Sequence, residues 1–475
     1  MIEGMNPAAV AATETATELQ ALAGRAGRTP FYVYDTAVVD AQLATLRAVL
    51  PAEVRLHYAV KANPFPPLVE HLAQQVEGFD VASGGELAVA LECHLPRGFD
   101  IGFAGPGKSL EDIRAGVAAD VLFQCESVRE LRAIAAAGQA AAVRPRVALR
   151  INPDIQLRGA GQRMGGGPRP FGIDAEAAPE VLALLATLPV DFAGFHFYAG
   201  SQMLDAANVV ALLEHCYACA VALAAHAPAP VRVLNLGGGF GVPYHAGEQA
   251  LDVAPIGAAL HQLVARAATD FPEAQLVLEL GRYLVAPAGR YVTRVVDRKV
   301  SRGEVFLVCD GGMNHHLAAS GNLGQVLRRN FPVQVVKAPS YLPQKIREQA
   351  PSHKEKVSQN TREQAPSYKG EVSQNTREQA PSHKGEDSPV GASLLATLPS
   401  GAATETVTIC GPLCTPLDVL AQRVELPVAS EGDFVVIGMS GAYGATASPR
   451  GFLSHRGPVE LLVAGSTSLD STPPA

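Results

Sequence analysis

The chain has 475 residues, enough for two or more domains and a large buried core. Hydrophobic residues make up 48% and charged residues 18%, a globular profile, and a net charge of −8 gives no reason to expect a nucleic acid or an anionic membrane surface as partner. No apolar run is expected to reach the roughly 18–20 residues that span a bilayer, Met1 to Gln20 lacks the pattern of a secretory leader, and seven irregularly spaced cysteines suit a reducing compartment, so the expected location is cytoplasmic.

In chain order, residues 1–28 form an N-terminal extension, and Phe31–Asp35, within residues 29–36, is predicted as a strand that joins a later β domain. From 37 to 290, short apolar or β-branched runs alternate with Ala/Leu-rich helical patterns. Strands are predicted at Val54–Val60, Phe79–Ala82, Ile101–Ala104, Val121–Gln124, Val147–Ile151, Phe192–His196, Val233–Leu236 and Leu276–Leu280. The helical patterns include Pro67–Gln75, Gly85–Cys93, Leu110–Ala118 and Val128–Ala137. Eight strands separated by helices match a (β/α)8 TIM barrel in number and length. A doubly wound open sheet shares the alternation, because the repeat alone does not show closure.

After residue 290 the texture changes. Tyr291–Val300, Glu304–Val308, Thr406–Ile409, Asp433–Gly438 and Val459–Val463 read as strands without comparable helices between them. They imply a second, mainly β C-terminal domain over residues 291–340 and 399–475. Within it, Arg347–Thr361, Arg362–Thr376 and Arg377–Gly391 are near-copies of one polar unit with almost no apolar residue to stack. Solenoid repeats need an apolar face on every unit, so 341–398 reads as a disordered insertion.

The chemistry begins at Lys61, in Tyr58-Ala59-Val60-Lys61-Ala62-Asn63, at the C-terminal end of a strand where a barrel keeps its active site. An amine that loses hydration there has a lowered pKa and can form a Schiff base, although an ion pair with a nearby carboxylate is the plainer alternative. Gly237, Gly238 and Gly239 follow another strand, where glycines let main-chain N–H groups approach an anion; alone they could also be a tight turn. Glu279 ends a further strand and could be a base, a metal ligand or the partner of a protonated ring nitrogen. Arg282 beside it suits a phosphate, or could simply pair with Glu279. His196 also ends a strand, placed to stack on a ring, to move a proton, or only to fill a structural role. Cys414 and Asp418 share a Pro-rich loop, and Tyr443 stands on a glycine-flanked turn. Cys216 and Cys219 form a single CxxC within a helical pattern, and no metal site is expected. A lysine for an aldehyde, glycines and arginine for a phosphate, and a glutamate for a ring nitrogen jointly describe pyridoxal 5′-phosphate (PLP).

On these residues the chain resembles the fold-type III PLP-dependent decarboxylases, the group of diaminopimelate, ornithine and arginine decarboxylases, from about residue 29 to 340 and again from 405 to 464. Tyr58–Asn63 stands for the family's Y-x-x-K-A-N, and Phe79–Glu86 for its D-x-x-S-x-G-E stretch with Asp80. Arg150–Asp154 and Phe171–Ile173 are further landmarks. The resemblance implies an alanine-racemase-like barrel and PLP carried on Lys61, with Asp80 among the cofactor-binding residues. It also implies His196 stacked on the ring, Ser201, Gly237–Gly239, Arg282 and Tyr443 at the phosphate, and Glu279 at the ring nitrogen. Cys414 would cross the interface of a homodimer with shared active sites and help protonate the product.

Three departures concern the substrate. The family's C-E-S-x-D loop reads Cys414-Thr415-Pro416-Leu417-Asp418, its R-P-x-L-Y stretch is replaced around His315 and His316, and the second His of H-x-H-I-G-S is Tyr198. The resemblance therefore implies decarboxylation of the α-carboxylate of an amino acid or amino-acid-derived substrate, with Thr415, Asp418, His315 and His316 near its distal end. The alternative is a carrier-protein-tethered aminoacyl group, as in relatives found with exopolysaccharide systems. A racemase on the same fold is disfavoured by Glu279, and a non-catalytic PLP-binding protein by the presence of both Lys61 and Cys414.

Overall fold

The computed structural model describes residues 15–155, 162–163, 165–323, 325, 328–338 and 403–465, so the predicted insertion at 341–398 lies outside the described residues. Its strands are β1 (Phe31–Asp35), β2 (Val54–Ala59), β3 (Gly78–Val81), β4 (Asp100–Phe103), β5 (Leu122–Cys125), β6 (Arg146–Asn152), β7 (Gln162–Arg163), β8 (Ile173–Asp174), β9 (Asp191–Phe197), β10 (Gly200–Ser201), β11 (Val233–Gly238) and β12 (Gln275–Leu280). They are followed by β13 (Gly289–Ser301), β14 (Glu304–Cys309), β15 (Val333–Val336), β16 (Thr404–Cys410), β17 (Val419–Pro427), β18 (Phe434–Ile437) and β19 (Val459–Val463).

Strands β2, β3, β4, β5, β6, β9, β11 and β12 pair in that order, all parallel, and β12 pairs back to β2. The sheet is closed, which excludes the doubly wound alternative. Side chains alternate along each strand. One phase, including Leu56, Tyr58, Phe79, Phe103, Phe123, Leu149 and Phe195, joins the main apolar core. The other phase points to the barrel axis. Near the strand starts, Arg55, His57, Gly102, Gln124, Asn235 and Val277 help line a cavity of about 200 Å³. Serines set the helix starts in this region: Ser83, Ser109 and Ser127 each accept the N3 amide of the helix that follows.

The longest of the connecting helices, Ala206–Ala224, corrects one expectation. With 19 residues and a mean hydropathy of 1.6 it is long and apolar enough to cross a membrane. Its buried face (Val209, Leu212, Leu213, Cys216, Tyr217, Ala220, Leu223) belongs instead to the barrel's core.

Strand β8 pairs with β6 at the barrel and β7 with β10, while the other strands form a mainly β unit in the order β15-β18-β13-β14-β16-β17, with β1 between β13 and β19. The helix Ala16–Ala26, opened by a Thr15/Glu18 capping box, packs Leu19 and Ala23 against Phe31, Val33, Val292, Phe434 and Val436. The chain leaves β12 through a short helix (Arg282–Val285) and a 3-10 turn (Ala286–Ala288) into β13. This connection places the tip of the β unit over the barrel's C-terminal mouth. There Tyr443 N–H donates to Ala62 O at 2.8 Å, and Asn63 Nδ2 donates to Gly441 O at 2.9 Å.

Candidate active site

Strand β2 stops one residue earlier than predicted, and Val60–Ala62 turns as a 3-10 helix closed by Asn63 N–H on Val60 O at 3.0 Å. That turn lifts Lys61 out of the ladder and aims it across the barrel mouth. Its Nζ lies 3.5 Å from Glu279 Oε1 and 4.7 Å from the centroid of the Tyr198 ring. The side chain stays 35% accessible, so it stands on the floor of an open cleft. Glu279, at 3% accessibility, receives His196 Nε2 at 3.1 Å on its other oxygen.

Charge decides the protonation of Lys61 and Glu279. Burial presses the Lys61 pKa down, but the Glu279 carboxylate, with Tyr198 and Tyr443, outweighs it and raises the pKa above the ordinary lysine value. The lowered pKa expected from desolvation alone is therefore reversed while the amine is free. Burial likewise pushes Glu279 up, and Lys61, His196 and Arg150 more than reverse that, holding the carboxyl below the usual range.

Arg282 lies beyond Glu279 on the short helix. Its Nη1 donates to Tyr244 Oη at 2.9 Å, and its guanidinium lies 4.6 Å from the Tyr443 ring centroid. Its Nε is buried and has no hydrogen-bond partner among the described residues. On the neighbouring strand, Gly238 pairs with Glu279. A Cβ at Gly237 would come within 2.4 Å of Phe197 O, and one at Gly239 within 2.1 Å of Gly200 O, next to Ser201. Both residues also hold positive φ, 73° and 80°. A cationic group with an unsatisfied donor beside a side-chain-free run of backbone suits a phosphate, and an amine paired with a buried carboxylate suits an aldehyde-bearing pyridine. The residues present therefore fit PLP.

Other predicted residues lie elsewhere. Asp80 is inside the barrel, where its Oδ1 accepts from Gln124 Nε2 at 2.6 Å and its Oδ2 faces His57 Nδ1 at 3.4 Å. His196 is only 1% exposed, so its ring is not presented to the cleft for stacking. His315 and His316, expected near a substrate's distal end, are core residues at 1% and 0% exposure. His315 Nε2 meets Arg456 O at 2.8 Å, while His316 Nε2 meets Ser440 Oγ at 2.9 Å among the rings of Tyr32, Tyr291 and Phe331. Asp418 is a strut, accepting Met313 N–H at 2.6 Å and Leu413 N–H at 2.8 Å. A pattern of residue types could not reveal that these polar groups are already satisfied by main-chain groups and by the Ser440 hydroxyl. Cys414 is exposed on the loop that Asp418 braces, and Thr415 Oγ1 accepts Leu417 N–H at 3.3 Å within the same loop.

The sequence reading also left residues unassigned. Arg150 donates to Glu126 Oε1 at 2.8 Å and contributes to the charge of Glu279. The signal was its phase: Arg146, Ala148 and Arg150 alternate along β6, which puts Arg150 near the axis at the strand's C-terminal end. Lys108 is fully buried and shares its ammonium among Glu130 Oε1 (2.7 Å), Gly105 O (2.9 Å) and Gln124 O (3.1 Å).

Comparison with known proteins identifies the family. Residues 36–286 match the family described as pyridoxal-dependent decarboxylase, pyridoxal binding domain, and residues 370–441 match its C-terminal sheet domain. The chain is 34% identical, over 91% of its length and 88% of the relative's, to L-glutamyl-[BtrI acyl-carrier protein] decarboxylase of Niallia circulans. It is 28% identical, over 90% of its length and 92% of the relative's, to 2-[(L-alanin-3-ylcarbamoyl)methyl]-2-hydroxybutanedioate decarboxylase of Staphylococcus aureus. Among solved structures it resembles diaminopimelate decarboxylase of Helicobacter pylori in fold, with a TM-score of 0.70 at 23% identity over 92% of each chain. With a PLP-compatible constellation at the mouth of a closed barrel and a family match over more than half its length, the chain belongs to the fold-type III PLP-dependent decarboxylases and is an amino-acid decarboxylase.

Proposed function

We propose that the protein removes the α-carboxylate from an amino-acid unit whose far end is joined to a carrier protein. The observation that carries this reading is the 34% identity, over 91% of the chain, with an enzyme named for a glutamyl group on an acyl-carrier protein. The second long match is named for an alanine unit attached through a carbamoyl group to a hydroxybutanedioate, again an amino-acid unit whose far end is joined to another group. Thr415 supports the reading, because it stands where the resemblance would place a glutamate for the distal ammonium of diaminopimelate. Losing such a charged contact costs about 2–5 kcal/mol, enough to redirect specificity.

In this reading Lys61 binds the aldehyde of PLP, and Arg282, Ser201, the Gly237–Gly239 main chain and Tyr443 hold its phosphate. Glu279 serves the ring nitrogen, keeping a proton there through its own negative charge. Bound PLP supplies an electron sink for the pair left when CO2 departs. Cys414 returns a proton to the α-carbon. Its exposure, with Leu417 at 54% beside it, supports delivery from a second protomer, in a homodimer whose sites are shared.

The test is CO2 release from glutamyl and other aminoacyl groups loaded on a carrier protein, compared with free diaminopimelate and free L- and D-amino acids. Faster turnover of a free amino acid than of any carrier-bound one would refute the carrier reading and leave the decarboxylase assignment intact.

A further inference from the structure

We propose that the N-terminal mouth of the barrel, away from the catalytic cleft, is a second binding site for a small zwitterion, an amino acid with an N–H donor on its ammonium. The interior of a parallel eight-stranded barrel is ordinarily closed by layers of bulky branched side chains. Here the strand starts enclose a cavity of about 200 Å³ instead. Small residues make the room. A Cβ at Gly102 would fall 2.5 Å from Asp80 Oδ1 and 2.6 Å from Gln124 Nε2, and one at Gly78 would fall 2.4 Å from His57 Nε2. Polar side chains therefore occupy space that those two positions leave, while Ala148 and Ala193 pack with Leu122 in a small apolar cluster of their own.

The polar atoms define the ligand. Gln124 is buried, and its Nε2 donates to Asp80 Oδ1 at 2.6 Å, which fixes the orientation of the amide. Its Oε1, an acceptor in the wall of the cavity, has no hydrogen-bond partner among the described residues. Neither ring nitrogen of the buried His57 has one, and at the rim the same holds for the Nε donor of Arg146. Such unmet groups are rare in a protein interior, and the space exceeds what one water fills. Charge then selects among occupants. Each guanidinium at the rim already faces a carboxylate: Arg55 with Asp100 at 2.6 Å, Arg232 with Asp191 at 2.8 Å and Arg146 with Asp120 at 3.6 Å. Deeper in, Asp80 has only His57 as an ion-pair partner among the described residues, at 3.4 Å. A net anion gains little at a neutralised rim and is repelled by Asp80, and a simple cation leaves the rim donors unmet. A zwitterion serves both ends, its N–H on Gln124 Oε1 within the field of Asp80 and its carboxylate toward Arg146.

The inference is independent of the substrate and is tested by titration calorimetry on the holoenzyme. The probe is N,N-dimethylglycine, whose protonated tertiary amine keeps one N–H but cannot form an imine with PLP. A dissociation constant in the millimolar range or tighter is expected, about −4 kcal/mol or better, with the absorbance of the bound cofactor unchanged. Trimethylglycine, which lacks the N–H, and acetate, which lacks the cation, should each bind at least about tenfold more weakly. Arg146→Gln should weaken the probe about threefold or more, and Leu122→Phe, which fills the cavity, should abolish binding; circular dichroism and thermal melts check that both fold. No heat up to about 50 mM probe would mean a cavity that holds water alone and would overturn the proposal. Acetate binding as tightly as the probe would overturn it too, by making the site one for anions. Undiminished binding in either folded variant, or a changed cofactor spectrum, would put the probe elsewhere and have the same consequence. If Leu122→Phe does not fold, Arg146→Gln, on the half-exposed rim, decides together with the ligand series.

Discussion

An ammonium and a buried carboxylate 3.5 Å apart stabilise each other's charge, and that fixes how Lys61 behaves before any cofactor arrives. Its pKa is raised, so over the range in which the protein is handled the free amine is a minor form whose fraction grows about tenfold per pH unit. The rate at which apoenzyme takes up PLP, followed by absorbance, is therefore expected to rise with pH between neutrality and mildly alkaline conditions. Glu279→Gln removes the opposing charge and should speed uptake at neutral pH while lowering turnover. Lys61→Ala should abolish both the Schiff-base absorbance and turnover; a surviving spectrum would assign the cofactor to another lysine. His316 gives a prediction of opposite chemistry. Burial lowers its pKa to about 3, below the ordinary 6.5, so it folds neutral and the unfolded chain takes up the proton first. Its contribution is fully present above pH 6.5 and falls as pH drops toward 3, with a limiting slope of about 1.4 kcal/mol per unit. Denaturant unfolding at a series of pH values should show this slope flattened in His316→Gln.

At the scale of elements, the glycine run and the cysteine loop illustrate two kinds of constraint. Gly239→Ala would place a Cβ 2.1 Å from Gly200 O at a φ of 80°. The left-handed backbone alone costs roughly 1–2 kcal/mol, so both melting temperature and PLP affinity should fall. Native values for both would mean that β10 can yield. Asp418→Ala removes the acceptor for two main-chain amides, at about 1–3 kcal/mol. It should lower kcat through a misplaced Cys414 while leaving PLP affinity near native; equal losses in both would deny the loop a separate role. These cases also show what a sequence can reveal. Lys61, Glu279, Arg282 and the glycines were legible because strand ends of a barrel are special positions that a period of two identifies. Asp418, His315 and His316 were not, because their partners are main-chain groups and the Ser440 hydroxyl, which a pattern of residue types does not pair with them. Strands β15 and β17 escaped for a related reason: Val419–Pro427 mixes Gln, Arg and Glu with apolar residues, as a half-exposed strand does.

For the whole molecule, the exposure of Cys414 and Leu417 makes a protomer incomplete in the proposed function. Lys61→Ala and Cys414→Ala variants, each inactive or slow alone, should regain up to about a quarter of native activity when mixed and allowed to exchange subunits. No recovery in mixtures shown to form hybrid dimers would place both residues in a site built from one chain. The division into barrel and β unit was readable because, in the sequence, strand patterns follow one another after residue 290 without helical patterns of comparable length between them. The role of the N-terminus was less so, since an amphipathic helix of 11 residues does not declare what it will cover.

Strand β1 lies between β13 and β19, so residues near the start of the chain are paired with residues near its end, Phe31 with both Val292 and Val459. During synthesis the barrel strands, all between Val54 and Leu280, can find one another while the ribosome is still making the β unit. Phe31–Asp35 has to wait, with one edge unmatched until β13 emerges and the other until β19 does. A nascent chain released before β19 is made would keep that edge of a five-residue strand, buried throughout in the folded protein, open to other chains.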